Sequence, residues 1–320
     1  ENMNTESRKI ILIGNGCVGS SYAFAITLLG IGKELGIIDI NKKKTIGDAI
    51  DLADAVSYSS QKKIYSADYQ DCSDAQIVVI SAGLPQKEGQ TRLELLNSNL
   101  NLIKEIVANV MDSGFNGIFL VATNPVDILT KAVYKYSGLP KNQVIGSGTV
   151  LDTARLRKEL SQDLGVDARN IHAYIMGEHG DSEFAVFSQA SIGPIKLREW
   201  LTDMNPNFDV DFYFNKTEMK VRNTAYDIIN LKGSTYYGIA RSLAKITKAI
   251  LDDDNSIMTV STLLEGEYEE NNIYIGVPSV VNKYGVVKVI DMELDDIETK
   301  KFKESSKIIK DRLKSCNLQD

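Results

Sequence analysis

The sequence predicts an α/β protein in which a doubly wound parallel sheet is followed by an α+β domain with antiparallel strands. Up to about residue 148, short β-branched runs alternate with helical patterns, as in βαβ units. Runs such as Ile77–Ile80 and Ile118–Val121 are apolar throughout, which fits strands buried on both faces. Later strand-like runs are separated by turn residues, which indicates antiparallel pairing.

The elements can be predicted in order along the chain. The strands of the first part are predicted at residues 9–13, 35–40, 63–65, 76–81, 117–122 and 143–145. The second part is predicted to contain a helix ending near residue 164, a long helical region at 217–251, and three strand-like runs that form an antiparallel meander, at 257–264, 273–281 and 285–290. Residues 294–313 repeat apolar side chains at helical spacing and predict an amphipathic terminal helix packed on the surface.

Length and composition limit the possible functions. A chain of 320 residues exceeds a typical single core, so we expect two closely packed domains, at residues 1–148 and 149–320, with a cleft between them for chemistry. The net charge of −7 argues against nucleic acid or an anionic membrane as a partner. Three scattered cysteines favour a reducing compartment, and without a run of ~20 apolar residues we expect a cytoplasmic protein.

A glycine-rich turn follows the first predicted strand. Gly14, Gly16 and Gly19 have the spacing GxGxxG, which lets the backbone approach a pyrophosphate at the N-terminus of the next helix. Asp39 ends the second strand run, where its carboxylate can hold both ribose hydroxyls and would repel a 2′-phosphate. The alternative for Asp39 is a solvated strand end. Together these residues predict a Rossmann domain that binds NAD, with Val18 at the cofactor or in the core.

His179 lies in a glycine-flanked loop, YIMGEHGDSEF, of a chain with two histidines. Histidine suits proton exchange near neutral pH, so His179 is a candidate acid/base, although an isolated loop histidine is more often a surface residue. Asp152 could orient the imidazole or could cap a helix instead. Arg155, one helical turn later, could grip a carboxylate or could form only an i,i+3 salt bridge with Asp152.

From about Lys9 to Leu313 the sequence resembles the bacterial L-lactate dehydrogenases, in the family that includes the malate dehydrogenases. The resemblance rests on seven segments in the family's order and spacing: GxGxxG, Asp39, GLPQKEGQTRLELL, ATNPVD, GSGTVLDTARLR, GEHGDSEF and KGSTYYGIA. It implies reversible hydride transfer between NADH and pyruvate, giving (S)-lactate and NAD⁺ in fermentative glycolysis.

The resemblance also implies roles for individual residues. His179 would be the acid/base, Asp152 its orienting partner, and Arg92 would polarise the ketone when the loop from Gly83 closes. Substrate contacts would come from Gln86, Arg92, Asn124, Arg155 and Thr235. Cofactor contacts would come from Gly14, Gly16, Val18, Gly19, Asp39, Lys44, Tyr69, Gly83, Leu84, Ala122, Asn124, Ser147 and Ile239. Asn124, Ser147 and Ile239 also have purely structural alternatives.

Gln86 is the residue that distinguishes substrates. Malate-specific members of the family carry arginine at the matching position, whereas this chain has a neutral amide. A dicarboxylate would then leave an unpaired charge in a closed pocket, which costs about 3–5 kcal/mol. We therefore expect a monocarboxylate such as pyruvate, with Thr235 limiting larger 2-keto acids.

Regulation and assembly are also implied by the resemblance. Arg157 and His172 match the positions that bind fructose 1,6-bisphosphate in allosteric members, although a surface arginine and a satisfied histidine remain the alternative. The family predicts a homotetramer. The two histidines match no zinc spacing, so no metal is expected.

Competing functions are a broader 2-hydroxy acid dehydrogenase, a malate dehydrogenase with an unusual loop, and a non-catalytic NAD-binding protein. The non-catalytic protein is disfavoured because it would not need all five candidate catalytic and substrate-binding residues: Arg92, Asn124, Asp152, Arg155 and His179.

Overall fold

The computed structural model describes residues 2–60 and 62–320. The strands are β1 (Lys9–Ile13), β2 (Glu34–Ile38), β3 (Lys63–Ser66), β4 (Ile77–Ile80), β5 (Ile118–Val121), β6 (Val144–Gly146), β7 (Ile171–His172), β8 (Ile175–Met176), β9 (Phe184–Ala185), β10 (Ser191–Ile192), β11 (Ile195–Lys196), β12 (Ser256–Met258), β13 (Ser261–Glu265), β14 (Asn271–Gly276), β15 (Ser279–Asn282) and β16 (Gly285–Val289). The α-helices are α1 (Cys17–Leu28), α2 (Lys42–Val56), α3 (Arg92–Asp112), α4 (Val126–Ser137), α5 (Val150–Leu164), α6 (Leu197–Met204), α7 (Val210–Lys232), α8 (Tyr237–Leu251) and α9 (Asp296–Ser315).

The main sheet has eight strands in the order β14-β13-β6-β5-β4-β1-β2-β3. Strands β1 to β6 are parallel, and every residue of β4 and β5 is buried. Helices cover both faces, because their apolar residues join the two large core clusters on either side of the sheet. The predicted α/β fold with a doubly wound parallel sheet is confirmed.

The predicted antiparallel meander near the C-terminus is wrong in its connectivity, although its strands are antiparallel. The runs at 257–264 and 273–281 each divide into two strands that belong to different sheets. One half of each run, β13 and β14, extends the main sheet, while β12, β15 and β16 form a separate three-stranded sheet. Alternating hydrophobicity shows that a segment is extended, but it does not show where the segment changes sheets.

The long helical region predicted at 217–251 is two helices, α7 and α8, and the first begins earlier than expected, at Val210. Asp209 caps α7 by accepting a hydrogen bond from the backbone N of Phe212 at 3.0 Å. The helix ends at Lys232, and Gly233 follows it with a φ of +88°, which favours glycine. Among residues 2–60 and 62–320, no helix is both long and apolar enough to cross a membrane.

The loop of His179 connects β8 to β9 and is fixed to the main sheet. Gly177, at its start, exchanges backbone hydrogen bonds with Gly276 of β14 at 3.0 and 3.1 Å. The chain therefore carries His179 toward the carboxyl ends of the parallel strands. Ligands of open α/β sheets bind at this edge.

Candidate active site

A cavity of about 690 Å³ opens at the carboxyl edge of the main sheet. Its wall combines polar groups from five parts of the chain with apolar side chains of α3. The predicted site residues that line it are Gln86, Arg92, Asn124 and His179. Four residues spread over more than ninety positions of the sequence are thus brought to one concave surface, as expected of a ligand site.

His179, Asp152 and Arg155 form a connected polar group beside this cavity. The His179 Nδ1 lies 2.8 Å from Oδ2 of Asp152, and the His179 side chain is 30% exposed, whereas that of Asp152 is 3% exposed. Asp152 and Arg155 lie one turn apart at the start of α5, with Nη1 to Oδ1 at 3.3 Å. The helix thus holds both groups on one face. Asp152 contacts His179 and also forms the i,i+3 salt bridge with Arg155, whereas the N-cap of α5 is Thr149 and not Asp152.

The protonation of His179 results from opposing effects. Burial lowers the pKa of His179, but attraction to Asp152 and the hydrogen bond with it outweigh burial, so that the pKa is raised above its ordinary value. Burial likewise opposes ionisation of Asp152, yet the imidazole lowers the pKa of that carboxyl below its usual range. The pair is therefore suited to hold a proton on the imidazole.

Asp127 is a site residue that the sequence analysis missed. Its Oδ2 accepts a hydrogen bond from the backbone N of His179 at 2.9 Å, and its Oδ1 accepts one from the Ser261 hydroxyl at 2.7 Å. Burial raises the pKa of Asp127 to about 6. In the sequence Asp127 is the last residue of the ATNPVD segment and lies in the first turn of α4, but nothing in that segment connects it to His179.

Arg92 and Gln86 lie on the exposed segment that leads into α3. Arg92 is the first residue of α3, and Thr91 caps the helix through a reciprocal pair of hydrogen bonds with Glu94, at 2.8 and 3.2 Å. Gln86 donates from Nε2 to the backbone O of Gln90 at 2.8 Å and is exposed. The segment stands open beside the cavity, with Gly89 at a φ of +75°.

The remaining predicted substrate and nicotinamide residues are not among the described residues that line this cavity. Ser147 is buried, and its backbone N donates to the O of Val121 at 2.9 Å, at the end of the sheet. Ala122 and Ile239 pack, partly buried, against the same core cluster. Thr235 is half-buried between α7 and α8; within the described chain it is not among the residues that line the cavity.

The glycine turn after β1 fits a dinucleotide. Gly14 has a φ of +101°, and a Cβ there would lie 2.4 Å from the backbone N of Ala82. A Cβ on Gly19 would lie 1.9 Å from the Gly14 carbonyl O. Asp39 accepts from the backbone N of Asn15 at 2.7 Å. The carboxylate is thus fixed beside the turn and retains lone pairs for ribose hydroxyls.

The other predicted cofactor residues lie on several different elements. Exposed Gly16 precedes α1, and Val18 is partly buried on it. Lys44 pairs with Asp48 on α2, so its ammonium is already neutralised. Tyr69 packs partly buried against the core cluster on the other face of the sheet. Gly83 and Leu84 begin the exposed segment, where the Leu84 backbone N donates to Oδ1 of Asn99 at 2.8 Å.

The two predicted effector residues are not in contact within the described part of this chain. Arg157 donates from Nε to the backbone O of Ala173 at 3.1 Å, and its guanidinium lies over the Tyr174 ring at 5.0 Å. It lines a second cavity, of about 340 Å³, which we call the basic cavity because its other charged residues are Arg169, Arg241 and Lys245. His172 is exposed on β7.

Comparison with known proteins gives consistent matches over nearly the whole chain. Residues 8–146 match the lactate/malate dehydrogenase NAD binding domain, and residues 149–318 match the lactate/malate dehydrogenase alpha/beta C-terminal domain. L-lactate dehydrogenase 1 of Enterococcus faecalis is 53% identical, over 98% of this chain and 95% of that protein. L-lactate dehydrogenase of Latilactobacillus sakei is 54% identical, over 97% and 95%.

Solved structures match equally well. A lactate dehydrogenase enzyme from a Medee basin deep-sea metagenome library has a TM-score of 0.94 at 44% identity, covering 98% of this chain and 99% of that one. The ligands-bound form of the minor L-lactate dehydrogenase from Enterococcus mundtii has a TM-score of 0.93 at 43% identity, covering 97% and 98%.

Proposed function

Because the chain belongs to the lactate/malate dehydrogenase family and is an NAD-dependent L-lactate dehydrogenase, we propose that His179 and Asp152 are its acid/base pair and that pyruvate is its substrate. The observation that carries this proposal is the 2.8 Å contact between Nδ1 of His179 and Oδ2 of Asp152, at a cavity that Arg92 and Asn124 also line. Proton exchange, carbonyl polarisation and hydrogen bonding to the substrate oxygen can occur at this one surface.

In the proposed mechanism each polar group has one task. The dinucleotide supplies the hydride for the carbonyl carbon when it is bound beside the glycine turn. Arg155 binds the substrate carboxylate through two parallel N–H bonds, and Arg92 polarises the ketone once the segment around Gln86 closes. His179, held as the imidazolium by Asp152, donates its Nε2 proton to the ketone oxygen, and the neutral ring takes that proton back in lactate oxidation.

We further propose activation by fructose 1,6-bisphosphate. The support is the charge of the basic cavity: no acidic residue is among the described residues that line it. Burial, followed by repulsion from Arg157 and Arg241, lowers the pKa of Lys245, which indicates that these three cations lie close together. The fourth cation, Arg169, is paired with Asp167. A bisphosphate that bridges this charge and His172 across a subunit boundary would favour one arrangement of the subunits.

A homotetramer is the proposed assembly. Helices α1 and α2 pack side by side and expose an apolar surface, here named the α1–α2 surface, that consists of Phe24, Leu28, Ile46 and Ile50. Apolar side chains grouped in this way mark an association site. The domain division at residue 148, the cytoplasmic location, the fermentative role and the expected absence of a metal stay predictions.

The test is NADH oxidation with pyruvate and with oxaloacetate, each with and without fructose 1,6-bisphosphate. We expect pyruvate to be preferred by about a hundredfold, as an unpaired second carboxylate would dictate, and the bisphosphate to lower its half-saturation. Arg157→Gln should abolish the activation, whereas the control Lys158→Gln, an exposed neighbour on α5, should keep it.

Each part of the proposal can fail separately in this experiment. Preference for oxaloacetate would overturn the role of Gln86 and leave the acid/base pair in place. Unchanged half-saturation in the wild-type protein would remove the effector. Absence of turnover with either keto acid would contradict the substrate assignment itself.

A further inference from the structure

Glu183 is a buried acid next to the acid/base pair, and the mechanism above gives it no task. It immediately precedes β9 and is 4% exposed. Its Oε2 is buried, and no described residue donates a hydrogen bond to it. A carboxyl group in this position is costly unless it carries a proton or contacts a cation.

Asp152 is the acidic neighbour of the Glu183 carboxyl group. One carboxyl oxygen of Glu183, one of Asp152 and one ring nitrogen of His179 all lie within 4.8 Å of one another. The two oxygens of Asp152 already face His179 and Arg155. Two buried carboxyl groups this close do not both ionise, because each disfavours the charged form of the other.

The surrounding charges decide which acid keeps the proton. Arg222 on α7 donates to the backbone O of Glu183 at 2.9 Å and not to its carboxyl, and it forms its ion pair with Glu218. Lys301 of α9 also pairs with Glu218. Asp152 and Arg155 of α5, His179 of its loop and Asp127 of α4 surround the cluster on one side. The other described charged groups around Glu183 are Asp181 of the loop before β9, Glu218 and Arg222 of α7, and Lys301 and Glu304 of α9.

These contacts favour a neutral Glu183. Burial, and then the Asp152 carboxylate, raise the pKa of Glu183 well above its usual value. The imidazole beside Asp152 lowers the pKa of that acid despite its burial. The proton of the acid pair therefore resides on Glu183, while Asp152 is the ion.

We propose that Glu183 is a positioning residue that stays protonated and donates a hydrogen bond to Asp152, so that the Asp152 carboxylate is held toward His179. This inference rests on the proposed function for its catalytic consequence. With Glu183 neutral, Asp152, His179 and Arg155 together carry one positive charge, which the carboxylate of a 2-keto acid neutralises. An ionised Glu183 would instead leave a negative charge buried with the bound substrate, which is unfavourable.

The first test reads the protonation state without any turnover. Infrared difference spectra at about pH 8, above the value near 6 of Asp127, should show the C=O stretch of a protonated carboxylic acid in the wild-type protein. Glu183→Gln should lose that band. Glu298→Gln is the matched control, because Glu298 is 5% exposed but accepts hydrogen bonds on both oxygens. A band that Glu183→Gln retains overturns the proposal.

The second test uses the pH profile of kcat/KM for pyruvate. Glu183→Gln keeps a donor for Asp152, so its pH midpoint should stay within about 0.3 units of wild type. Glu183→Leu removes the donor and makes Asp152 a stronger base, so that its midpoint should move upward by about half a unit or more and kcat should fall about tenfold.

Two results of the second test would overturn the role. A midpoint that falls by about one unit in Glu183→Gln would mean that the acid is ionised and supports the imidazolium directly. Equal midpoints in all three proteins, with only thermal stability reduced, would make Glu183 structural. Loss of pyruvate turnover in the wild-type protein would instead contradict the proposed function, and the infrared result would stand independently.

Discussion

At the scale of single residues, the site depends on where one proton resides. Burial favours the neutral His179 ring, whereas the Asp152 carboxylate favours the charged ring. The carboxylate has the larger effect, so the pKa of His179 is raised. In the proposed mechanism pyruvate reduction requires the charged His179 ring, so we expect its rate to fall as the pH rises through the pKa of His179. Any change that weakens the carboxylate should move that fall to lower pH.

Asp152→Asn tests this sign. Without the negative charge, burial dominates and the pKa of His179 drops, so the midpoint of kcat/KM for pyruvate should move down by about 1–3 pH units. The rise of lactate oxidation, which needs the neutral ring, should move in the same direction. Steady-state profiles in both directions provide the measurement, and unmoved midpoints would mean that Asp152 serves only in its salt bridge with Arg155.

Residue types and spacing predict the acid/base pair but not its supports. The presence of Asp152, Arg155 and a glycine-flanked His179 in one sequence indicates an active site, because these residue types suit proton transfer and carboxylate binding. Asp127 and Glu183 lie in the segments ATNPVD and GEHGDSEF, but their residue types and spacing do not show what they contact. Their contacts, to the backbone N of His179 and to Asp152, arise only when α4, α5 and the loop before β9 come together.

At the scale of elements, the sequence predicts the strands of the first part to within two residues, because strands buried on both faces are apolar throughout. It fails where a segment changes partners. The runs around β12 to β15 contain no signal for leaving one sheet and joining another, and only Gly233 indicates where α7 ends.

The segment from Gly83 to Thr91 is an element whose substrate contact depends on its closure. In the open arrangement Gln86 donates to the Gln90 carbonyl and lines the cavity. Gln86→Arg would place a cation where the second carboxylate of oxaloacetate is expected. Pairing that charge is worth about 3 kcal/mol, so the ratio of kcat/KM for oxaloacetate to that for pyruvate should rise by about a hundredfold.

Gln90→Arg is the matched control for this prediction. It makes the same change of charge in the same segment, but position 90 is not one of the described residues that line the cavity. Its substrate ratio should stay near that of the wild-type protein. Equal ratios in both variants would show that the segment does not cover the substrate.

At the scale of the whole molecule, two features support the proposed assembly: the basic cavity and the α1–α2 surface. The basic cavity has no acid among its described lining residues, and α1 and α2 expose large apolar side chains next to each other. Composition alone does not show this, because the chain is acidic overall and its apolar fraction is ordinary. Only the fold shows that these side chains lie together.

Assembly through the α1–α2 surface can be tested at one position. Ile50 is 63% exposed in the single chain, and covering an isoleucine stabilises an interface by about 1.5–3 kcal/mol. In a two-fold symmetric interface each substitution occurs twice. Ile50→Asp would also bury a charge in that interface. The variant should therefore sediment as a smaller species at micromolar concentration, where we expect the wild-type protein to sediment as the proposed tetramer. Met219→Asp, at a side chain 59% exposed on α7, should keep the wild-type mass. A wild-type mass for Ile50→Asp, or an equal loss in both variants, would place the contact between subunits elsewhere.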